Sequence, residues 1–384
     1  MKWRMWALTA ALILAQSARG QDTQIVEIIP TSGEVGATLP KTTPARSDYL
    51  SAGSAPARRT AAAGPVSSAL PDAGGCCGGC GQCAQSGCDE PSWEIRAGWL
   101  YLHRSHPDHQ TLLNSPGRTP VADASNARFD WESGWELALE GRLDDCTDLE
   151  LRYLQVDNFH ASAGLGLAGN RVTGNIPTNP LTPFTSVLGP SFLFDYNSEL
   201  RSGEINFWRR ASDCTRVGLG FRWLQLNERL AISGAFPAVG AATTRNQINF
   251  NTRNNLWGLQ FGLDRAFVHT CRFEVNGIGK AGIYWNDAHS DADLQQPIGT
   301  LIGNANDSVG RIAFVGELGV IASYRLTCNL SIYGGYEALW LEGVALASDQ
   351  APTTGSLLAP TTAATTTNGG VFMHGAVLGV KVSW

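Results

Sequence analysis

The chain has 384 residues, 43% of them apolar and 16% charged, with a net charge of −6. An acidic balance disfavours nucleic acid as a partner. Beyond the N-terminus there is no run of about 18 apolar residues, so no helical membrane span is expected.

The opening MKWRMWALTAALILAQSARGQ reads as a secretory signal over residues 1–20. Lys2 and Arg4 supply the charged region, Met5 to Ala15 the short apolar core, and Ala18 and Gly20 a small-x-small cleavage site. Losing Lys2, Arg4 and Arg19 leaves 25 basic against 34 acidic residues, a net −9. Residues 21–75 are rich in Ala, Pro, Ser, Thr and Gly with little periodicity, the composition of a disordered linker. A Cys/Gly-rich tract follows over 76–90, and from Pro91 to Trp384 the writing changes to strands.

WEIRAGWLYLHR (93–104) places the apolar Trp93, Ile95, Ala97, Trp99 and Tyr101 at odd positions and Glu94 and Arg96 opposite them. In DWESGWELALEGRL, Trp131, Trp135, Leu137, Leu139 and Leu143 share one face, and Glu132, Glu136, Glu140 and Arg142 the other. The period of two recurs at 149–154, 203–208, 216–224, 256–264, 272–285, 311–324, 330–340 and in the terminal VFMHGAVLGVKVSW. That makes ten candidate strands, most of them long enough for a tilted strand to cross a bilayer, which takes roughly 9–11 residues. Short connections (144–148, 210–215, 267–271, 325–329) alternate with long ones (about 105–129, 157–194, 232–249, 286–308, 343–369). Short turns at one end and long loops at the other belong to outer-membrane barrels. An even strand count puts both termini on the short-turn, periplasmic side. The 157–194 connection has room for another hairpin, so twelve strands are the alternative count. All ten Trp residues after the signal fall within candidate strands, as interfacial girdles require. A soluble β-sandwich is the competing reading, but it seldom sorts Glu and Arg from Trp across ten strands. The fold expected is an antiparallel transmembrane β-barrel, all-β, with a disordered N-terminal extension.

SELRSGEINFWRR (198–210), GLGFRWLQLNERL (218–230), NTRNNLWGLQFGLD (251–264) and GKAGIYWN (279–286) together resemble a β-barrel porin family known chiefly from planctomycete genomes. The resemblance implies the fold and an outer-membrane location, with outer-membrane lipid as its surroundings; it implies no transported solute. FDWESGWELALEGRL also resembles, faintly, a second family of pore-forming barrels with the same fold. The ending AVLGVKVSW resembles the aromatic-ended terminal strand that outer-membrane assembly machinery recognises, with Trp384 as the signal residue.

The inner faces of the candidate strands carry Glu94, Arg96, Glu132, Glu136, Glu140, Arg142, Glu150 and Arg152 in the first half of the barrel. In the second half they carry Arg222, Asp264, Glu274, Lys280, Arg311, Glu317, Glu337 and Lys381. On the lipid face a midplane Arg or Lys costs about 2–4 kcal/mol, so these charges are expected to face the lumen. Either they line a small, weakly selective pore or they pair and plug it, because a barrel of about eight strands holds only side chains.

Four cysteines mark corresponding short turns, Cys146, Cys214, Cys271 and Cys328, at repeats of 68, 57 and 57 residues. Five more, Cys76, Cys77, Cys80, Cys83 and Cys88, lie in the tract on the same membrane side. Zinc or an iron–sulfur cluster would suit the tract's spacing, but an oxidising compartment favours disulfides. At least one tract cysteine is expected to pair with a turn cysteine or with a neighbouring molecule such as a cell-wall protein. No metal or other cofactor is expected.

Catalysis has two candidate clusters in the long connections: His106, Asp108 and His109, and Asp287, His289, Asp291 and Asp293. An Asp–His pair can activate water, yet neither cluster completes a catalytic motif, and no phosphate loop, zinc-protease motif or nucleophile elbow appears. The sequence therefore reads as a non-enzymatic envelope barrel, a passive pore or structural protein. Its alternatives are an adhesion barrel acting through the long loops and, last, a barrel hydrolase.

Overall fold

Two-faced writing of this kind is satisfied only if every strand finds two partners and no edge is left in hydrocarbon. The computed structural model describes residues 91–114, 120–166, 191–212, 214–237, 243–295, 301–351 and 364–384; the signal, linker and cysteine tract lie outside them. Among the described residues, ten antiparallel strands close a barrel. They are β1 (Trp93–Arg104), β4 (Trp131–Asp144), β5 (Thr147–Gly166), β6 (Ser191–Ser212), β7 (Thr215–Pro237) and β8 (Thr243–His269), then β9 (Phe273–Gln295), β10 (Leu301–Arg325), β11 (Leu330–Val344) and β12 (Gly369–Ser383). A small hairpin, β2 (Thr111–Asn114) with β3 (Pro120–Asp123), lies between β1 and β4, and one helical turn, α1 (Ala347–Gln350), between β11 and β12. Each barrel strand pairs with its neighbour in sequence, and β12 closes on β1 with Trp99 opposite Leu378. The seam is completed by Trp384, whose carbonyl accepts from the amides of Ser92 and Trp93 at 2.9 and 3.0 Å.

The outer surface carries an apolar band. On β9 it runs from Phe273 through Ile283 to Trp285, and the exposed Leu259, Phe261, Leu219 and Phe221 continue it on β8 and β7. At its upper edge Trp223, Trp257 and Trp285 stand in register on three adjacent strands, and Trp135 packs against Tyr153 with ring centroids 5.2 Å apart. This is the aromatic ring of an outer-membrane-type barrel.

Above that ring both faces reverse polarity without any change of phase. On β7 the inward positions read Arg216, Gly218, Gly220 and Arg222, then Leu224, Leu226, Glu228 and Leu230; the outward ones read Val217, Leu219, Phe221 and Trp223, then Gln225, Asn227 and Arg229. β9 does the same, with Asp287, His289 and Asp291 outside and Ala288 and Ala292 buried inside. The barrel thus has a charged interior where lipid surrounds it and an apolar core where water does. This reversal corrects the sequence-based lengths. Within the connections expected over 157–194, 232–249 and 286–308, the described residues 157–166, 191–194, 232–237, 243–249, 286–295 and 301–308 are strand, because their polar outward residues face water while the pairing continues. The expected hairpin within 157–194 falls partly on β5 and β6 and otherwise outside the described residues.

The end away from the short turns is stoppered by its own chain. Gly343, at φ +83°, sits in a bulge of β11 between Glu342 and Val344, a backbone shape that favours glycine. Beyond it, Val344–Ala347 turn inward and are fully buried. Asn254 grips this segment as a strand would: its Nδ2 donates to the Ala345 carbonyl at 2.8 Å and its Oδ1 accepts from the Ala345 amide at 2.7 Å. From the β1–β4 connection Ala124, Ala127 and Phe129 enter the same core.

Candidate functional site: the charged lumen

Within the apolar band the interior is filled by side chains that reach across it. Arg152 on β5 is the hub. Its Nε donates to Glu136 at 2.9 Å, its Nη2 to Glu337 at 2.8 Å and its Nη1 to Glu317. Glu317 also accepts from Arg222 Nη1 at 2.8 Å, and Arg222 Nε donates to Ser202 at 2.8 Å. Lys280 donates to Glu204 at 2.7 Å and lies 3.6 Å from Glu150. Arg96 binds Glu150, and Arg216 binds Glu140 and, at 2.5 Å, Asp264. Neutral groups take up some of the remaining valences: Tyr333 Oη donates to Glu136 at 2.9 Å, and Asn206 and Gln260 donate to Glu150 and Glu204 at 2.9 and 2.8 Å. Isolated charges in such a place would each cost several kcal/mol; paired and hydrogen-bonded, they persist.

Most of the sequence-predicted lumen residues meet here. Glu136, Glu150, Arg152, Arg222, Asp264, Lys280 and Glu317 are buried, and Arg96, Glu140 and Glu337 are part-buried members of the same network. At the short-turn end Glu94 lies 3.7 Å from Arg96 and 3.9 Å from Lys381, beside Glu274. A cavity of about 220 Å³ remains at this level, lined among others by Glu140, Glu274, Asn276, Glu337 and Lys381. Glu132 is on the inward phase of β4 opposite Leu102, and Arg142 lines the rim near Pro91. Arg311 departs from the expectation. It shares the inward phase of Ala313 and Glu317 and stands opposite the buried Asn286, yet it is exposed and outside the network.

Sequence reading missed Glu204, Arg216 and Arg104. Each had a usable signal: Glu204 alternates with Ile205 and Phe207, Arg216 shares the phase of Arg222, and Arg104 that of Arg96. Arg104 and Glu228 form a second buried pair higher up, where Glu228 also accepts from Tyr196 Oη at 2.6 Å and from the Ala347 amide at 2.9 Å. The guanidinium of Arg104 lies 4.3 Å from the Phe129 ring centroid. Trp208 is the other correction. It does not join the girdle but is buried inside the barrel, its ring across Gly218 and Gly262 and its Nε1 donating to Glu150 at 3.3 Å. The two glycines leave the flat space that an indole fills.

The candidate catalytic residues lie in two separate places. His289 Nε2 lies 3.2 Å from Asp287 Oδ2, both on the outward face of β9 and half-exposed. His109 Nδ1 is 3.4 Å from Asp123, and nine-tenths of its side chain is exposed. Among the described residues no group of three potential metal ligands occurs. Of the turn cysteines, Cys271 is an exposed thiol, whereas Cys214 and Cys328 are disulfide-bonded.

A family model described as "Putative beta barrel porin-7 (BBP7)" matches residues 105–384, and the chain belongs to that family. Solved structures similar to it include the outer membrane protease OmpT from Escherichia coli, at 13% identity and a TM-score of 0.44 over 76% of this chain and 96% of that one. A Pseudomonas aeruginosa FadL homologue is similar at 9% identity and a TM-score of 0.28, over 76% of this chain and 89% of that chain. The toluene transporter TodX of P. putida follows at 8% identity and 0.26, covering 77% and 91%. No curated protein sequence matches the chain.

Proposed function

We propose that this chain is a sealed outer-membrane barrel, a structural element of the envelope rather than an open diffusion pore. The reading places the short turns and both termini in the periplasm and the stoppered end outside. One observation carries it: Arg152 and Glu317, on strands five places apart in a ring of ten, bond directly across the lumen. Above that bridge the inward Leu224, Leu226, Leu200 and Leu256 are fully buried in an apolar core that ions do not cross. Lipid at the apolar band is the partner that geometry favours, and Trp384, exposed at the seam, is available to assembly machinery.

Liposome swelling tests the reading. Vesicles carrying the full barrel should swell in small sugars no faster than empty vesicles, and fast, size-dependent swelling would argue for a pore. A second reading, surface binding, draws on the collar of β5 to β10 above the aromatic ring, whose outward face carries Asp195, Asn197, Asn251, Arg253 and Asp287. Catalysis is not part of the proposal.

A further inference from the structure

The cavity of about 220 Å³ at the short-turn end of the lumen is unevenly charged. Seven carboxylates and five basic groups line it. Two of those bases are shared with carboxylates outside the lining, Arg152 with Glu317 and Lys280 with Glu204. The lining therefore carries at least two negative charges in excess, in a place where an unpaired carboxylate is costly.

Unmet acceptors gather on one wall. Asp264 on β8 and Glu274 and Asn276 on β9 lie on the inward phase of neighbouring strands, with Asp264 opposite Ile278 in the register. Asp264 is only 6% exposed. Its Oδ2 accepts from Arg216 at 2.5 Å, while its Oδ1 is buried without a donor among the described residues. Asn276 Oδ1 is a second such oxygen, and Glu274 adds a part-buried carboxylate beside it. Across the cavity, on β1 and β12, the bases are already engaged. Arg96 binds Glu150 and lies 3.7 Å from Glu94, and Lys381 lies 3.9 Å from Glu94.

These oxygens call for a donor that brings positive charge. A calcium ion takes about six to eight oxygen ligands, and no group of three potential metal ligands occurs among the described residues. A primary ammonium instead offers three N–H donors from one centre. Ile278 and Ile321 also line the cavity and give methylene groups an apolar strip. Glu337, which meets Arg152 through Oε2, faces the same space.

We propose that this cavity binds an alkyl diammonium ion of the putrescine type. One ammonium donates to Asp264, Asn276 and Glu274, the chain lies along Ile278 and Ile321, and the second ammonium pairs with Glu337. The two charges of such an ion match the excess in the lining. In the orientation proposed above the site opens toward the periplasm, but binding does not depend on whether the lumen conducts.

Calorimetric titration of the full, folded chain in neutral detergent at physiological salt is the test, with putrescine as the probe. One saturable site per barrel is expected. Butylamine, which lacks the second charge, should bind at least about tenfold more weakly, and magnesium chloride should not displace putrescine. Glu274→Gln and Asn276→Leu should each weaken putrescine by about tenfold or more. Asp287→Asn, on the outward face of β9, should leave it unchanged. Heat-modifiable migration identifies the folded variants, and either pocket variant suffices for the comparison. Absence of saturable binding, or binding unchanged in a folded pocket variant, would overturn the proposal. So would equal affinity for butylamine or displacement by magnesium.

Discussion

Arg152 and Glu317 are 165 residues apart in sequence and face each other across the full width of the barrel, joined through Nη1 and Oε1. Strand order explains the meeting: β5 and β10 lie opposite in the ring, so residues on their inward phases converge on its axis. Several carboxylates share this one guanidinium. Its removal therefore affects more than a pair.

Arg152→Met should destabilise the barrel by about 3–5 kcal/mol, since it leaves Glu136, Glu317 and Glu337 crowded without their common partner. Glu317→Gln should cost less, because Arg152 keeps two carboxylates. Urea unfolding in detergent micelles measures both. Equal effects would mean that the hub role is misassigned.

Trp208 over Gly218 is a steric prediction. A Cβ on Gly218 would lie 2.6 Å from the indole Cε3. Gly218→Ala should therefore cost about 1–3 kcal/mol by overpacking. In a Trp208→Leu background most of that cost should vanish. Additive effects of the two changes would show that the ring does not rest there.

The polarity reversal can be mapped by charge. Leu259→Arg, on the outward face within the apolar band, should cost about 2–4 kcal/mol in lipid vesicles. Asn255→Arg, on the same face of the same strand but above Trp257, should be near neutral. Similar costs at both sites would put the boundary elsewhere. Single-cysteine labelling adds the inner register: a membrane-soluble reagent should reach positions 137 and 318 but not 136 and 317.

These contrasts also show how much of the barrel could be read from the chain. WEIRAGWLYLHR delimits β1 to the residue, because the lipid-facing and lumen-facing residues differ sharply in polarity. The upper halves of β6 to β9 were not legible as strands. There, Gln225, Asn227, Arg229 and Asp287 occupy outward positions, and polar residues between strands read as loops when the solvent outside is taken to be lipid. Trp208 was misread for a related reason: its type suggested the girdle, whereas its phase, shared with Glu204 and Asn206, pointed inward. Arg152's hydrogen-bond partners lie on three other strands, and no local pattern reveals which strand lies opposite in a closed ring.

Asp349, in the α1 turn at the stoppered end, has its pKa pushed up to about 6 by burial, with Glu228 and Asp108 adding repulsion. Ser348 and Arg104 act against the shift, and Tyr196 shares Glu228. Its ordinary value is 3.8, so the carboxyl stays neutral in the docked segment over a range where the released segment is ionised. Docking is then strongest below about pH 4 and weakens as pH rises toward about 6. Asp349→Asn should raise hydrogen-exchange protection of residues 345–351 at pH 7 and leave it unchanged near pH 4. No gain at pH 7 would contradict the assignment.

Single-channel recording in planar bilayers tests the sealed lumen most directly. The purified, folded barrel should give no steady conductance steps at neutral pH, while Arg152→Met, which removes the bridge, should flicker. Stable, ohmic steps from the unaltered protein would contradict the account.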